Sequence, residues 1–347
     1  MKSNMMKDLR SILSALCEVQ SIPGYEDRLF PLVSESYQRL DCETLYSGVN
    51  GILARKKSAV TNEKTVRVLL CAHLDQTGFL VSGYGKKSLL KLTPVGISPK
   101  KLLPGSRMKV LKNDGSAADG VVPCVSPHVK NYMGNDKIDY YVVDVGSDAG
   151  IKEKFGIGNM VTFAGNVLSL GRDTLAAPGC GARATVAAML AAAELMKNRN
   201  VELYLAGTAG GVLGRFGAAA MAELCKPDVL LVLENSSEEN HAFLAKELCG
   251  NGPVIGINYA SAPCVARELM AAAEREGIAY GKEHLNATYK TQAHTAQTAG
   301  CGYRTAVLTI PADNVGSGNE TVRFSDVEKT ARLLAAYMNA LEVGAAQ

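Results

Sequence analysis

The chain has 347 residues, of which 47% are hydrophobic and 20% are charged, and its formal net charge at pH 7 is +3. This length and composition predict about two globular domains. The small, scattered charge argues against a nucleic-acid-binding groove, and no apolar run reaches the roughly 18 residues that span a bilayer. We expect no signal peptide, because no charged segment followed by an apolar one opens the chain. The nine cysteines are irregularly spaced, which is typical of reduced thiols in a cytoplasmic protein.

Two amphipathic patterns, LRSILSALCEV and RLFPLVSESYQRL, predict helices separated by the turn SIPGYED. VNGILARK and TVRVLLCAH then predict strands. From about Ser82 to Val167, short strand-like segments alternate with turn residues, which predicts an inserted all-β unit. After Val167 helices and strands alternate, which is typical of a mainly parallel sheet flanked by helices. We therefore expect an α/β domain at 1–81 and 168–347, with an inserted β domain at 82–167.

A histidine and an aspartate stand two residues apart where one predicted strand ends. The apolar run VRVLL predicts a buried strand, and CAHLDQTGF follows it with His73 and Asp75. Ligands of α/β proteins bind at the carboxyl ends of the strands. A metal-binding histidine is commonly oriented by a carboxylate that accepts its second N–H. The pair therefore predicts a metal ligand, His73, supported by Asp75, and a catalytic zinc needs about three protein ligands.

Several stretches carry a family resemblance. The turn SIPGYED, the strand end CAHLDQTGF, the triplet Ser126-Pro127-His128, the run VVDVGSDAGIKEKFGIGNMVTF and LCGNGPVIG resemble segments of the glutamyl and deblocking aminopeptidases. These are cobalt- or zinc-dependent metallopeptidases related to the tetrahedral aminopeptidases. The resemblance covers nearly the whole chain. It implies an α/β phosphorylase/hydrolase-like domain with an inserted barrel-like β domain, and assembly into dimers or tetrahedral dodecamers.

The resemblance also implies two metal ions held by five side chains, of which this sequence retains His73 and Glu234. The supporting residues Asp75 and Arg183 are retained as well. At most of the other implied positions this sequence has a different residue. They are Gly181 and Ala182 for an aspartate pair with the bridging ligand, Gly210 for the general base, Gly211 for a glutamate ligand, Gly316 for a histidine ligand and Gln292 for a supporting aspartate, whereas Ser317 and Glu320 still align.

These replacements predict a protein that has lost metallopeptidase chemistry. Without a bridging carboxylate nothing holds two cations together, and without the base nothing takes the proton from the attacking water. Because glycine has no ligating group, we expect a vacated cleft without tightly bound zinc or cobalt. We expect a binding or partner subunit, in a homo-oligomer or beside an active paralogue, with a peptide or small ligand in the cleft.

Two alternative functions remain open from the sequence. The chain could be an active aminopeptidase or other hydrolase with an altered or single-metal site, in which Cys180 acts as a substitute ligand or as a nucleophile beside His73. It could also bind a nucleotide, because the glycine-rich turn at 207–217 links a strand to a helix and Glu234 ends the next strand. Less specific interpretations are a small buried thiol at Cys180, and a Glu234 that is solvated or paired with a cation such as Arg183. The other histidines are expected to be surface or structural residues: His128, His241, His284 and His294.

Overall fold

The computed structural model describes residues 2–59, 65–96, 98, 100–124, 141–146, 150–235, 249–283 and 291–342, with the side chains of residues 2–8 excepted. Two helices open the chain, α1 (Lys2–Glu18) and α2 (Phe30–Arg39), where the amphipathic patterns predict them. Between them the SIPGYED segment forms a turn that leads into a 3-10 helix, Glu26–Leu29. None of the described helices is long and apolar enough to cross a membrane.

Within the described residues, eight strands form the main sheet. In spatial order they are β1 (Glu43–Gly48), β2 (Gly51–Lys56), β12 (Val201–Thr208), β3 (Val66–His73), β13 (Val229–Asn235), β16 (Thr305–Ile310), β14 (Val254–Gly256) and β15 (Gly281–Glu283). The central strands β12, β3, β13 and β16 run parallel, and Thr208 at the end of β12 pairs with His73 at the end of β3. The carboxyl ends of these strands therefore lie side by side, at the edge where α/β proteins bind their ligands.

A second group of described strands closes into a barrel. In spatial order they are β4 (Gly78–Tyr84), β5 (Leu89–Val95), β8 (Val142–Asp144), β7 (Ala117–Val121), β6 (Arg107–Leu111) and β9 (Met160–Phe163), and a short helix, α3 (Ile151–Lys154), precedes β9. Phe79, Val81 and Leu90 belong to the buried cluster inside this barrel. Alternate residues of β4 point inward because the side chains of a strand alternate between its two faces. The predicted fold class, a mainly parallel sheet with helices and an inserted all-β barrel, is confirmed.

Apolar cores cover both faces of the main sheet, which explains the unbroken apolar runs of its strands. In β3, Val68 and Leu70 pack into one core, and Leu69 and Cys71 pack into the other. The helices that supply these cores, besides α1 and α2, are α4 (Cys180–Leu195), α5 (Gly217–Cys225), α6 (Pro263–Arg275), α7 (Gln292–Gln297) and α8 (Phe324–Ala340). The starts of α4 and α7 lie near the carboxyl end of β13, because Gly181 lies against Asn235 and the N–H of Gln292 donates to Glu234.

A small antiparallel sheet was not predicted from the sequence. Its strands, in spatial order, are β10 (Leu168–Leu170), β11 (Thr174–Ala177), β18 (Glu320–Arg323) and β17 (Ala312–Asp313). Strands of two to four residues are too short to display a period of two. Pairing of Ala177 with Glu320 places the start of α4 beside β18. Gly181 and Glu320 are thereby brought into contact, although 139 positions separate them in the sequence.

Candidate functional site

His73 lies at the carboxyl end of β3 with 5% of its surface exposed. Its Nδ1 atom is 2.9 Å from the backbone oxygen of Asp75 and 3.3 Å from Asp75 Oδ1, and its Nε2 atom is 3.3 Å from Asn235 Oδ1. Burial lowers the pKa of His73, but the hydrogen bond and charge of Asp75, with the charge of Glu234, outweigh burial and raise this pKa to about 9. A pKa above neutrality favours the protonated ring, in which both nitrogens donate to these oxygen atoms.

Asp75 is fully buried and holds the glycine-rich turn that follows β12. Its carboxylate accepts the backbone N–H of Gly211 at 2.9 Å and that of Val212 at 2.7 Å. Burial raises the pKa of Asp75, but the hydrogen bond and charge of His73, together with these N–H groups, outweigh burial and leave the pKa below its usual value. The structure thus brings His73 and Asp75 together as an ion pair, and the same carboxylate fixes the turn above them.

Two more buried carboxylates contact the backbone at the glycine positions. Glu26 accepts the N–H of Gly210 at 2.9 Å. Glu320 accepts the N–H of Gly181 with one oxygen and that of Gly316 with the other, each at 3.0 Å. Hydrogen bonds from backbone N–H groups to an ionised carboxylate are among the stronger ones in proteins. Backbone N–H groups therefore surround these carboxylates where the family resemblance implies metal-binding side chains.

Gly181 and Gly211 do not leave open space, so the prediction of a vacated cleft is wrong at these positions. A Cβ atom on Gly181 would lie 2.6 Å from Nδ2 of Asn235. A Cβ atom on Gly211 would lie 2.3 Å from Cβ and 2.5 Å from Cγ of His73. These separations are far below van der Waals contact, which is about 3.5 to 4.0 Å between carbon atoms. The neighbouring side chains have closed around the glycines.

Gly210 and Gly316 both have backbone conformations that residues with a side chain rarely adopt. Their φ angles are +67° and +81°, in the left-handed region that glycine adopts most readily. A Cβ atom on Gly210 would also lie 2.9 Å from Cζ of Phe216, so this ring stands where the side chain of a general base would begin. The sequence carries no signal for this role of Phe216. Glu26, by contrast, belongs to the quoted SIPGYED segment and could have been selected from it.

Glu234 is the second-to-last residue of β13 and is 7% exposed. Its Oε1 atom accepts the backbone N–H of Gln292 at 3.2 Å. Burial raises the pKa of Glu234, and the positive charges of His73 and Arg215 offset this effect only in part. The described hydrogen bonds of the Arg183 guanidinium go elsewhere, so the suggested pairing of Glu234 with Arg183 is wrong.

Arg183 is fully buried in α4 and connects separate parts of the fold. Its guanidinium group donates to the backbone oxygens of Leu16, Val19 and Leu74 at 3.2, 3.1 and 2.7 Å. It also donates to Oε1 of Gln76 at 2.8 Å. The fork of N–H groups on arginine matches several acceptors at once. Arg183 therefore ties the end of α1 to the segment that carries His73 and Asp75.

Cys180 is fully buried at the first position of α4. Its thiol donates to the backbone oxygen of Leu175 at 4.0 Å, and the neighbouring thiol of Cys17 together with burial raises the pKa of Cys180 well above its usual value. A neutral thiol is a poor nucleophile and a poor metal ligand, because both roles belong to the thiolate. The contacts of Cys180 thus favour the interpretation of a small buried residue over that of a substitute ligand or nucleophile beside His73.

The glycine-rich turn is occupied by groups of the chain itself. Consecutive N–H groups of Gly210, Gly211 and Val212 donate to the carboxylates of Glu26 and Asp75. Phosphate groups bind to such turns through free N–H groups, and two carboxylates at the same place would repel them. These contacts argue against the nucleotide-binding interpretation of the turn.

Among the residues that the structure describes, no three His, Cys, Asp or Glu side chains lie close enough together to hold a metal ion. Of the two remaining implied ligands, His73 has its Nε2 atom against Oδ1 of Asn235, and Glu234 accepts a backbone N–H. These side chains do not fit a pair of divalent ions. His294 packs edge-on against Tyr259 with ring centroids 5.2 Å apart. Three further histidines lie outside the described residues: His128, His241 and His284. For these, the expectation of surface or structural roles stays a prediction.

Comparisons with known proteins agree with the fold and the motifs. The model of the M42 glutamyl aminopeptidase family matches residues 50–333. The lysyl aminopeptidase of Pyrococcus furiosus is 24% identical over 342 residues, which cover 95% of this chain and 97% of that protein. A solved aminopeptidase from the archaeon Desulfurococcus kamchatkensis superimposes with a TM-score of 0.89 at 22% identity, covering 99% of this chain and 97% of that one.

The Pyrococcus horikoshii TET1 peptidase, which can assemble into a tetrahedron or a large octahedral shell, superimposes with a TM-score of 0.81 at 22% identity. The superposition covers 96% of this chain and all of that one, 100%. These superpositions show that this chain and the two solved structures share a fold. The family match extends over most of the chain, from the turn before β2 into α8. The chain therefore belongs to the M42 glutamyl aminopeptidase family.

Proposed function

We propose that this chain is a member of the M42 family without peptidase activity, which acts as a binding or partner subunit. The observation that carries the proposal is the closure of the site around Gly211. The N–H of this glycine donates to Asp75, and a Cβ atom here would overlap with His73. A glutamate side chain cannot leave the backbone at this position without displacing the histidine.

The charge balance of the site supports the same proposal. In a dinuclear metallopeptidase, carboxylates offset the charge of two divalent ions. Here the ring of His73 contacts the backbone oxygen of Asp75 and Oδ1 of Asn235, and the carboxylates of Asp75, Glu26 and Glu320 accept backbone N–H groups. A divalent ion would have to displace the proton of this ring and break these contacts before it could bind.

The proposed role as a subunit draws on the assembly of related proteins. The Pyrococcus horikoshii relative assembles into closed shells. We infer that this chain forms a homo-oligomer or joins an active paralogue, in the cytoplasm, where its free cysteines would remain reduced. Native mass spectrometry of the purified chain tests the first possibility. A strictly monomeric chain that also fails to join a co-expressed paralogue would contradict the proposal.

We expect no measurable aminopeptidase activity on a panel of N-terminal residues in the presence of zinc, cobalt or manganese. Loss of acid–base assistance alone costs roughly a hundred- to ten-thousand-fold in rate, and loss of a metal-bound hydroxide costs more. Hydrolysis of fluorogenic aminoacyl substrates is the measurement, with the lysyl aminopeptidase of Pyrococcus furiosus as the positive control. Turnover of about one per second that follows the purified oligomer and disappears in His73→Ala would establish the alternative, a hydrolase with an altered or single-metal site.

We expect the purified chain to contain far less than stoichiometric zinc or cobalt, and its melting temperature to be unchanged by a chelator. Any ion that binds only the folded state would raise the melting temperature by mass action. Elemental analysis and thermal melts with and without chelator measure both quantities. Near-stoichiometric metal that survives dialysis, with a melting temperature that falls under chelation, would contradict the proposal. Release of that metal by Cys180→Ser would then identify a substitute ligand.

A further inference from the structure

A cleft of about 510 Å³ lies between the barrel and the loop that precedes β18. Leu102, Ser106, Arg107 and Phe163 line it on the barrel side, and Ser317 and Asn319 line it on the loop side. Neither His73 nor Glu234 belongs to its lining. A junction between domains is a common position for a small-molecule site, and this volume lies in the usual range of about 300 to 1,000 Å³.

Arg107 gives one end of this cleft a positive charge. The side chain is exposed, and in the part of the chain that the structure describes no ion pair involves it. The nearby carboxylate of Asp119 pairs instead with Lys109, at 2.8 Å. The guanidinium fork matches the two oxygens of a carboxylate and can donate to both. Arg107 is therefore placed to bind an anionic group that enters from solvent.

The other walls of the cleft combine an apolar surface with polar groups. Leu102 is 44% exposed, which is high for a large hydrophobic side chain, whereas Phe163 is buried. The N–H of Asn319 donates to the hydroxyl of Ser317 at 3.1 Å, which holds the loop in a tight turn. The exposed amide of Asn319 can donate to a carbonyl or carboxylate oxygen. These features favour a ligand with a carboxylate at one end and an apolar group at the other.

We propose that this cleft binds the carboxylate of a small amphipathic molecule, with the C-terminal residue of a peptide as the ligand class. The carboxylate of this residue would lie against Arg107, the apolar side chain of the residue against Leu102, and its amide group near Asn319. This assignment goes beyond the proposed loss of catalysis and does not depend on it. A peptide could bind here whether or not the chain hydrolyses peptides elsewhere.

The test is a titration of the whole chain with N-acetyl-leucine, followed by calorimetry or by ligand-observed NMR. We expect a dissociation constant on the order of 1 mM, because the ligand is small and the cleft is open. Arg107→Gln should weaken binding about tenfold or more, because it removes a charge-assisted hydrogen bond. Arg267→Gln, a change at another exposed arginine on α6, should leave binding and melting temperature unchanged.

Three related ligands separate the contributions of the carboxylate, the apolar group and the peptide bond to binding. N-acetyl-leucinamide lacks the carboxylate and should bind at least about tenfold more weakly. Acetate lacks the apolar group, so it should bind more weakly, and Leu102→Ser should leave its binding unchanged. The same substitution should weaken the binding of N-acetyl-leucine. N-acetyl-glycyl-leucine should bind at least as tightly as N-acetyl-leucine if peptide ends are the ligand class. Equal binding of acid and amide, unchanged binding by a folded Arg107→Gln protein, or no saturation up to about 20 mM would overturn the assignment.

Discussion

Gly211→Ala should destabilise the folded chain by about 3 kcal/mol or more. The new methyl group would lie 2.3 Å from Cβ of His73, so either the ring or the turn must move. The ring is held by Asp75 and Asn235, so it cannot move without losing those contacts. If the turn moves instead, Asp75 loses the N–H groups of Gly211 and Val212. Denaturant unfolding measures the change in free energy.

Gly83→Ala is the matched control for this experiment. A Cβ atom on Gly83 would have Lys91 Cδ as its nearest neighbour, at 3.9 Å, which is ordinary contact. We expect this variant to stay within about 1 kcal/mol of the original chain. A Gly211→Ala protein as stable as Gly83→Ala would show that the site is open, and the proposed closure would be wrong.

Gly211→Glu extends the same prediction to activity. This change restores one implied ligand but no bridging carboxylate and no general base, and groups that act as a unit do not restore activity singly. Adding the other implied side chains meets separate obstacles. Asn235 fills the space beside Gly181, Phe216 covers Gly210, and Gly316 has a φ of +81°. We expect no peptide hydrolysis by Gly211→Glu, and measurable hydrolysis by this single variant would falsify the proposal of a dismantled site.

Arg183→Met should destabilise the chain by about 3 to 5 kcal/mol, because it leaves several buried acceptors without donors. The backbone oxygens of Leu16, Val19 and Leu74 all accept hydrogen bonds from this guanidinium group. Methionine preserves much of the packing volume but donates no hydrogen bond. Arg183→Lys should also be destabilising, since a single ammonium group cannot reach acceptors that lie on different sides of a planar fork.

Arg267→Met on the exposed face of α6 serves as the control and should change stability by no more than about 0.5 kcal/mol. Denaturant unfolding followed by circular dichroism and by tyrosine fluorescence tests whether each transition is two-state. An Arg183→Met protein within about 1 kcal/mol of the original chain would mean that the carbonyl oxygens find other donors.

The local pattern of the sequence was sufficient for the mainly parallel sheet and the inserted β unit, whereas the closure of that unit into a barrel was implied by the family resemblance. The run VLLCA, residues 68–72, is apolar at successive positions because Val68 and Leu70 enter one core while Leu69 and Cys71 enter the other. The short alternating segments of the barrel reflect one buried face and one exposed face. The small sheet that contains β18 was not predicted, because its strands are too short to carry a period.

The sequence by itself determined which side-chain groups the site contains, since the side chain of a glycine cannot bind a metal ion or accept a proton wherever it is placed. Only the tertiary structure decided what occupies the glycine positions. Asn235 lies against Gly181, and Glu320 binds the N–H of Gly181 across 139 positions of the chain. Phe216 lies against Gly210, and the N–H of Gly210 donates to Glu26, which is 184 positions away in the sequence. The identity of a residue sets its chemistry locally, whereas the space around it depends on contacts between distant segments, and those contacts closed the site.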